Sequence, residues 1–255
     1  MTKRPREPDA TPGSGGTPPR RLTVASDGLR LAALLFLPAE TPRGALLVCH
    51  GAGSRKENHA LMGEQAAERG LAALLFDFRG HGASDGDMDA GGWHDVVAAG
   101  ETLRRESGAP WLAGRGSSMG GLLLLLAARA RPALCSSLVL LCPADPRSLL
   151  DGLDRLDQGL EPSSSDAPSE GRFDSASLRR FLETVDPVAA AHGLPRVLLA
   201  HARDDAAVPF AHSERLAAVL APPTRFIALE SGGHRAPARS PEVAAATIDW
   251  VLANS

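Results

Sequence analysis

Leu112-Ala-Gly-Arg-Gly-Ser-Ser-Met-Gly-Gly-Leu-Leu-Leu-Leu-Leu126 is the stretch that decides the fold. Residues 116–120 within it (Gly-Ser-Ser-Met-Gly) fit the pattern Gly-x-Ser-x-Gly, between a short apolar run and a long leucine-rich one. This context predicts a strand, a tight turn and a helix that starts at Met119. The turn would expose Ser118, and the helix would direct free N–H groups and its positive end toward it. A glycine-rich loop can match so short a pattern by chance, so the rest of the chain has to decide.

Length and composition predict one globular domain. The chain has 255 residues, of which 44% are hydrophobic, and its net charge of −3 gives no electrostatic support for a nucleic-acid partner. Cys49, Cys135 and Cys142 form no metal-binding spacing; with no signal peptide, they predict packed thiols in the cytoplasm. No apolar run reaches the roughly 18 residues of a membrane span.

Apolar strands alternate with amphipathic helices along most of the chain. The predicted strands are 22–25, 29–37, 45–49, 71–76, 111–113, 137–142, 196–200 and 224–229; the predicted helices are 58–70, 93–106, 119–131, 211–220 and 241–252. Asn58 is the expected N-cap of its helix, and Asp27-Gly28 predicts a β-hairpin between the first two strands. The order predicts an α/β fold with a mostly parallel, doubly wound sheet and an N-terminal antiparallel hairpin.

Two segments interrupt this alternation. Residues 1–21 are rich in Pro, Gly and Thr and predict a disordered tail, which leaves 22–255 as the folded domain. Residues 144–186 contain a loop-like stretch at 161–171 between two possible short helices at 147–156 and 175–184. An insertion too short for its own core, placed after a core strand, predicts a small lid over the site. The alternative is a surface loop unconnected with substrate.

A serine hydroxyl needs a base to take its proton and a third group to orient that base. Asp204 and Asp205 lie in one loop after a predicted strand, and His234 lies in the next such loop. Loops that follow parallel strands meet at the same edge of a sheet. The order of Ser118, aspartate and histidine is the order described for α/β-hydrolases.

Four stretches carry a resemblance to the α/β-hydrolase superfamily. His50-Gly-Ala-Gly53 resembles its oxyanion loop, and Asp77-Phe-Arg-Gly-His-Gly-Ala-Ser84 resembles its Asp-x-Arg-Gly-His-Gly-x-Ser segment. Residues 116–121 resemble its nucleophile elbow, and residues 201–209 resemble its acid loop, with Ala202 in place of the usual glycine. Each stretch alone is a weak signal, but the four together are specific and cover about residues 22–253.

The resemblance implies the residues of the site. The family's aspartate falls on Asp205, with Asp204 next and Asp145, after an earlier strand, as a third candidate. Two backbone N–H groups are expected to hold the oxyanion: that of Met119, after the nucleophile, and that of Ala52, which the resemblance implies.

The resemblance also implies a function. The chain is similar to serine carboxylesterases, including feruloyl-esterase-like and monoacylglycerol-lipase-like relatives. Ser118 would attack small to medium acyl esters, His234 would act as base and Asp205 would orient it, with no cofactor or metal. Thioester, amide, peptide or C–C cleavage, or a non-catalytic binding protein, remain as alternatives. A serine at position 118 disfavours the aspartate-nucleophile dehalogenases and epoxide hydrolases, and the sequence gives no oligomeric state.

The remaining polar residues have structural interpretations. His50 and His81 are expected to hydrogen-bond loop backbones, and Asp77 and Arg79 to form an internal ion pair that braces their turn. The other histidines have no acidic partner at a recognisable spacing, so we expect them at surface or capping positions. They are His59, His94, His192, His201 and His212. Residues 122–126 predict core packing.

Overall fold

An eight-stranded sheet runs through the molecule in a computed structural model that describes residues 18–160 and 171–255. Residues 1–17 of the predicted tail and 161–170 of the predicted loop lie outside the described residues. The strands are β1 (Arg20–Ser26), β2 (Leu29–Phe36), β3 (Gly44–Cys49), β4 (Leu71–Phe76), β5 (Leu112–Ser117), β6 (Ser137–Leu141), β7 (Val197–Ala202) and β8 (Thr224–Leu229). Their order is β1-β2-β4-β3-β5-β6-β7-β8.

Helices cover both faces of this sheet. They are α1 (Ala60–Glu68), α2 (Gly92–Ser107), α3 (Met119–Ala130), α4 (Pro146–Asp157), α5 (Ser175–Leu182), α6 (Pro187–Ala191), α7 (Phe210–Val219), α8 (Ala236–Arg239) and α9 (Pro241–Ala253). Side chains of α2 and α3 pack in one apolar layer, and those of α1 and α9 pack in the other. Every residue of β3, β4, β5 and β7 is buried, as expected of parallel strands with helices on both sides.

The predicted fold class is confirmed. Only β1 with β2 and β2 with β4 pair antiparallel, and all other neighbours are parallel. Asp27 and Gly28 join the hairpin with two consecutive positive φ angles, 49° and 80°, which suit the right-handed twist of paired strands. The first strand begins at Arg20, two residues before the predicted start of the folded domain.

Two local predictions were wrong. Asn58 is not a helix N-cap: it lies in a 3-10 turn, Lys56–His59, and α1 starts only at Ala60. The Asn58 amide instead donates to Ser54 Oγ at 3.2 Å and tightens the loop. The nucleophile strand continues four residues past the predicted end to Ser117, because Gly114, Arg115 and Gly116 pair with β3 and β6 on either side. The sequence analysis also missed the short helices α6 and α8.

Among the described residues, no helix is long and apolar enough to cross a lipid bilayer. All three cysteines are free thiols, and Cys49 and Cys142 are buried.

Glycines allow α3 to begin against the ends of the central strands. A Cβ atom at Gly116 would lie 2.5 Å from the carbonyl oxygen of Gly120. A Cβ atom at Gly120 would overlap the carbonyl oxygens of Cys49 and His50 at the end of β3. The helix can therefore reach this position only if both residues lack side chains.

We expect Gly120→Ala to lower the free energy of unfolding by about 1–3 kcal/mol or more, because the added methyl group meets backbone atoms that cannot give way. Gly152→Ala is the matched control, since Gly152 lies in α4 and a Cβ atom there has open space. The control should be neutral or slightly stabilising. Urea unfolding measures both, and a Gly120→Ala protein as stable as the parent would contradict this packing.

Candidate active site

Ser118 stands at the turn between β5 and α3 in a backbone conformation that non-glycine residues rarely adopt, with φ 51° and ψ −121°. Its N–H donates to Leu141 O at 2.9 Å, and its carbonyl oxygen accepts the N–H groups of Gly121 and Ala144 at 2.9 and 3.0 Å. These bonds to two neighbouring segments hold the strained turn, and the Ser118 side chain borders a cavity.

This cavity has a volume of about 520 Å³. One wall is apolar and comes mainly from the helices on either side of residues 161–170, α4 and α5, together with the first turn of α3. Its members are Leu122, Leu123, Leu149, Leu153, Leu156, Leu178, Phe181 and Leu182. The segment 122–126 therefore packs in the core, as predicted, but two of its leucines also face the cavity, which the sequence analysis missed.

The two residues expected to form an oxyanion hole both border the cavity beside Ser118. Within the described part of the chain, the backbone N–H groups of Ala52 and Met119 donate no hydrogen bond to another residue. A Cβ atom at Gly51 would lie 3.3 Å from that of Ser118, so the loop after β3 packs directly against the serine. Both N–H groups are thus free to bind a substrate oxygen.

A buried ion pair fixes this loop. Lys56 Nζ lies 2.6 Å from Asp77 Oδ2, and the Lys56 N–H donates to Asp77 Oδ1 at 2.7 Å. The Ala83 N–H donates to the same carboxylate at 3.0 Å. Lys56 was missed, although it is one of only two lysines in the chain.

The predicted ion pair between Asp77 and Arg79 was wrong, because each residue binds a different partner. Arg79 binds the buried Asp95 with three side-chain contacts, Nη2 to Oδ1 at 2.7 Å and Nε to Oδ2 and Oδ1 at 3.0 and 3.1 Å, and also contacts Asp27 and Asp89. Asp77 and Arg79 both stabilise the loop after β4. Asp77 does so by binding Lys56, and Arg79 by binding Asp95 in α2.

The histidines of these loops act as predicted. His50 Nε2 accepts the Phe78 N–H at 3.1 Å, so Nδ1 carries the proton and donates to Gly51 O at 2.8 Å. Burial lowers the pKa of His50 well below its ordinary value, which keeps this ring neutral. His81 Nδ1 donates to Arg79 O at 3.1 Å.

Asp205 is the candidate acid that contacts His234. Their Oδ2 and Nδ1 atoms are 2.7 Å apart, and the Asp205 side chain is fully buried. The N–H groups of Ala207 and Val208 donate to its Oδ1 at 2.8 and 2.9 Å. Burial by itself would raise the pKa of Asp205, but hydrogen bonds from His201 and His234 outweigh it and lower that pKa well below its ordinary value. The carboxylate is therefore ionised at neutral pH.

The other two acids have different partners. Asp204 accepts the N–H groups of Gly232 and Gly233 at 3.0 and 2.8 Å, and so holds the backbone of the loop that carries His234. These backbone bonds lower the pKa of Asp204. Asp145 caps α4 by accepting the Ser148 N–H at 2.9 Å.

Ser118 and His234 border the same cavity. Over residues 18–160 and 171–255, no hydrogen bond joins the serine hydroxyl to the imidazole. Such bonds are often long in the absence of substrate and tighten when it binds. With Nδ1 engaged by Asp205, Nε2 is the nitrogen left to act as a base.

Two histidines predicted at surface or capping positions are instead buried: His201, whose Nε2 lies 2.9 Å from Asp205 Oδ2, and His212 in α7. His59 occupies the N-cap position of α1 without a side-chain capping bond, and its Nε2 atom is buried. His94 is partly exposed and pairs with Asp27, and His192 is exposed as predicted. The four-residue spacing of His201 and Asp205 across the end of β7 was the signal that could have revealed this contact.

One group of potential metal ligands exists among the described residues: single atoms of Cys142, Asp205 and His234 lie within 4.8 Å of one another. Hydrogen bonds account for this cluster, because the Cys142 thiol also donates to His234 O at 3.1 Å. Burial raises the pKa of the Cys142 thiol well above its ordinary value, as suits a neutral donor.

Comparisons with known proteins identify similar sequences and a similar fold. Residues 40–149 match the family model described as serine aminopeptidase, S33. An uncharacterised protein of Mycobacterium tuberculosis is 29% identical over 219 residues, which cover 83% of this chain and 70% of that protein. Human monoglyceride lipase is 30% identical over 134 residues, 49% of this chain and 44% of the lipase.

Among solved structures, Est1E from Butyrivibrio proteoclasticus with ferulic acid bound superposes with a TM-score of 0.75. The identity is 22%, and the alignment covers 91% of this chain and 98% of Est1E. The sheet order, the strained serine turn and these matches agree, and the chain has the α/β-hydrolase fold.

Proposed function

We propose that this protein is a serine hydrolase that cleaves carboxylic esters with small to medium acyl groups. The observation that carries the proposal is the 2.7 Å hydrogen bond between Asp205 and His234, at the edge of the cavity that Ser118 borders. A buried, ionised carboxylate that holds one imidazole nitrogen leaves the other as a base facing the cavity.

The proposed reaction proceeds through an acyl-enzyme. His234 Nε2 takes the proton of Ser118 as its hydroxyl oxygen attacks the ester carbonyl, and the resulting oxyanion accepts the N–H groups of Ala52 and Met119. The imidazolium, stabilised by Asp205, then donates its proton to the leaving alkoxide. Water attacks the acyl-enzyme with His234 as base, which releases the carboxylic acid and restores the serine.

The cavity supports an apolar acyl group. Leucines of α4 and α5 line it, including Leu149, Leu156 and Leu182. We therefore infer that α4 and α5, which belong to the predicted insertion at 144–186, form the lid predicted from the sequence. An acyl chain bound there would shed water from both surfaces, at about 0.8 kcal/mol per buried methylene group.

The similarity to monoglyceride lipase and to Est1E favours esters, whereas the S33 family model favours peptides as a second substrate class. The same residues could also attack thioesters, other amides or C–C bonds, because the fold does not select among them. The alternative that involves no catalysis is a binding protein with the same fold. The presence of serine, histidine and aspartate in the expected order argues against it.

A panel of p-nitrophenyl esters of rising chain length, set beside a hydroxycinnamate ester and a peptide p-nitroanilide, tests the proposed class. We expect kcat/KM to rise from acetate to medium chains as the apolar wall is filled, and to exceed that for the anilide. Ser118→Ala is the blank and should lower kcat by about 10³-fold or more. Faster anilide cleavage would favour a peptidase, and equal rates in Ser118→Ala would contradict the mechanism.

Two neighbouring aspartates allow a matched test of the acid. Asp205→Asn should lower kcat by about 10²–10⁴-fold, because the amide no longer stabilises the correct tautomer and the cation of His234. Asp204→Asn loses only part of its bonding to the exposed loop backbone, and should cost about 10-fold or less. Steady-state kinetics with one p-nitrophenyl ester compares the two. Full activity of Asp205→Asn would assign the acid to Asp204 or Asp145 instead.

A further inference from the structure

A second imidazole shares the Asp205 carboxylate. His201, near the end of β7, is fully buried, and its Nε2 lies 2.9 Å from Asp205 Oδ2. The same oxygen binds His234 Nδ1 at 2.7 Å. One carboxylate oxygen therefore accepts hydrogen bonds from two histidines, one in strand β7 and one in the loop after β8.

The surroundings of His201 define its tautomer. Nε2 also lies 3.1 Å from Val208 O, so it faces two acceptors and must carry the proton. Nδ1 lies 2.7 Å from Ser213 Oγ on α7. In the neutral ring this nitrogen has a free lone pair and accepts the Ser213 hydroxyl proton. Both ring nitrogens are thus engaged, and the ring is fixed in place.

We propose that His201 is a positioning residue for the catalytic acid, an inference that rests on the proposed function. Ala207 and Val208 hold Oδ1 of Asp205 through their backbone N–H groups, and His201 holds Oδ2. This set of donors prevents the carboxylate from rotating away from His234. His201 also draws charge from the oxygen that His234 binds, and so weakens the pull of Asp205 on the proton of the base.

The two effects predict a characteristic change when His201 is removed. A freer Asp205 orients His234 less well, which lowers kcat. The remaining imidazole becomes the sole side-chain donor to Oδ2, which stabilises its cation and keeps the base protonated to higher pH. The acid limb of the pH profile of kcat/KM should therefore move upward.

Other polar groups near this carboxylate stay in place when His201 is changed. The Cys142 thiol donates to the backbone of His234 at 3.1 Å, and Asp204 binds the backbone of Gly232 and Gly233. Neither contact involves the side chain of His201, so a shift of the acid limb would report the lost donor.

The test compares His201→Leu, which removes the donor, with His201→Gln, which keeps a side-chain N–H group. Ester hydrolysis is measured across pH. We expect His201→Leu to lower kcat by about 10–100-fold, the effect of one hydrogen bond to a charged group, with little change in KM. The acid limb should move to higher pH, and His201→Gln should recover much of both properties. His212→Leu is the control: it removes another buried histidine, whose recorded hydrogen-bond contact is with Arg215 rather than Asp205.

The proposal would be overturned if the acid limb of His201→Leu stayed at the parent's pH. It would also be overturned if His201→Gln recovered neither the kcat nor the acid limb of the parent, and His201 would then have only a packing role. Ser213→Ala is a gentler variant that keeps the inference testable if the leucine variant fails to fold; it should shift the limb in the same direction by less. If the parent protein cleaves no ester, the proposed function fails. The proton NMR signal of His234 Nδ1–H then tests His201 directly: it should move in His201→Leu and return toward the parent position in His201→Gln, and an identical signal in the parent and His201→Leu would refute the inference.

Discussion

The backbone of Ser118 is the constraint on which the rest of the site depends. A positive φ at a serine costs about 1–3 kcal/mol, and it persists because β6 and the segment after it hydrogen-bond to the serine backbone on both sides. Gly120 lets α3 begin against the end of β3, so the helix delivers the N–H group of Met119 to the place where the serine side chain emerges. If this turn relaxed, the proposed nucleophile and one proposed oxyanion donor would move together.

The charged side chains around this turn stabilise different parts of the site. Lys56 and Asp77 join the loop after β3 to the loop after β4, which fixes the loop that carries the second proposed oxyanion donor, Ala52. Asp204 holds the backbone of the histidine loop, whereas Asp205 holds the imidazole itself. Asp77 and Asp205 each have several donors, because a buried charge left partly unpaired would destabilise the fold by several kcal/mol. The same bonds that stabilise these loops therefore also align their reactive groups.

Features set by local chemistry were predictable from the sequence. The Asp27-Gly28 hairpin and the Gly-x-Ser-x-Gly turn follow from residues close together in the chain. The choice of Asp205 over Asp204 as the acid came from the family resemblance and stays a prediction. The partners of Arg79, the buried position of His201 and the ion pair of Lys56 depend on which loops meet in three dimensions. Asn58 shows the same limit. Asparagine often caps helices, but here its side-chain amide donates a hydrogen bond to Ser54 within the loop. The cavity wall from α4 and α5 required the packing of the whole chain.

Covalent labelling tests the central claim, that the strained serine is the nucleophile, most directly. The intact protein is treated with a fluorophosphonate, and the modified residue is identified by peptide mass spectrometry. The account predicts one adduct per chain, on Ser118, that disappears in Ser118→Ala and persists in Ser117→Ala. A protein that stays unlabelled, or an adduct that survives Ser118→Ala, would contradict it.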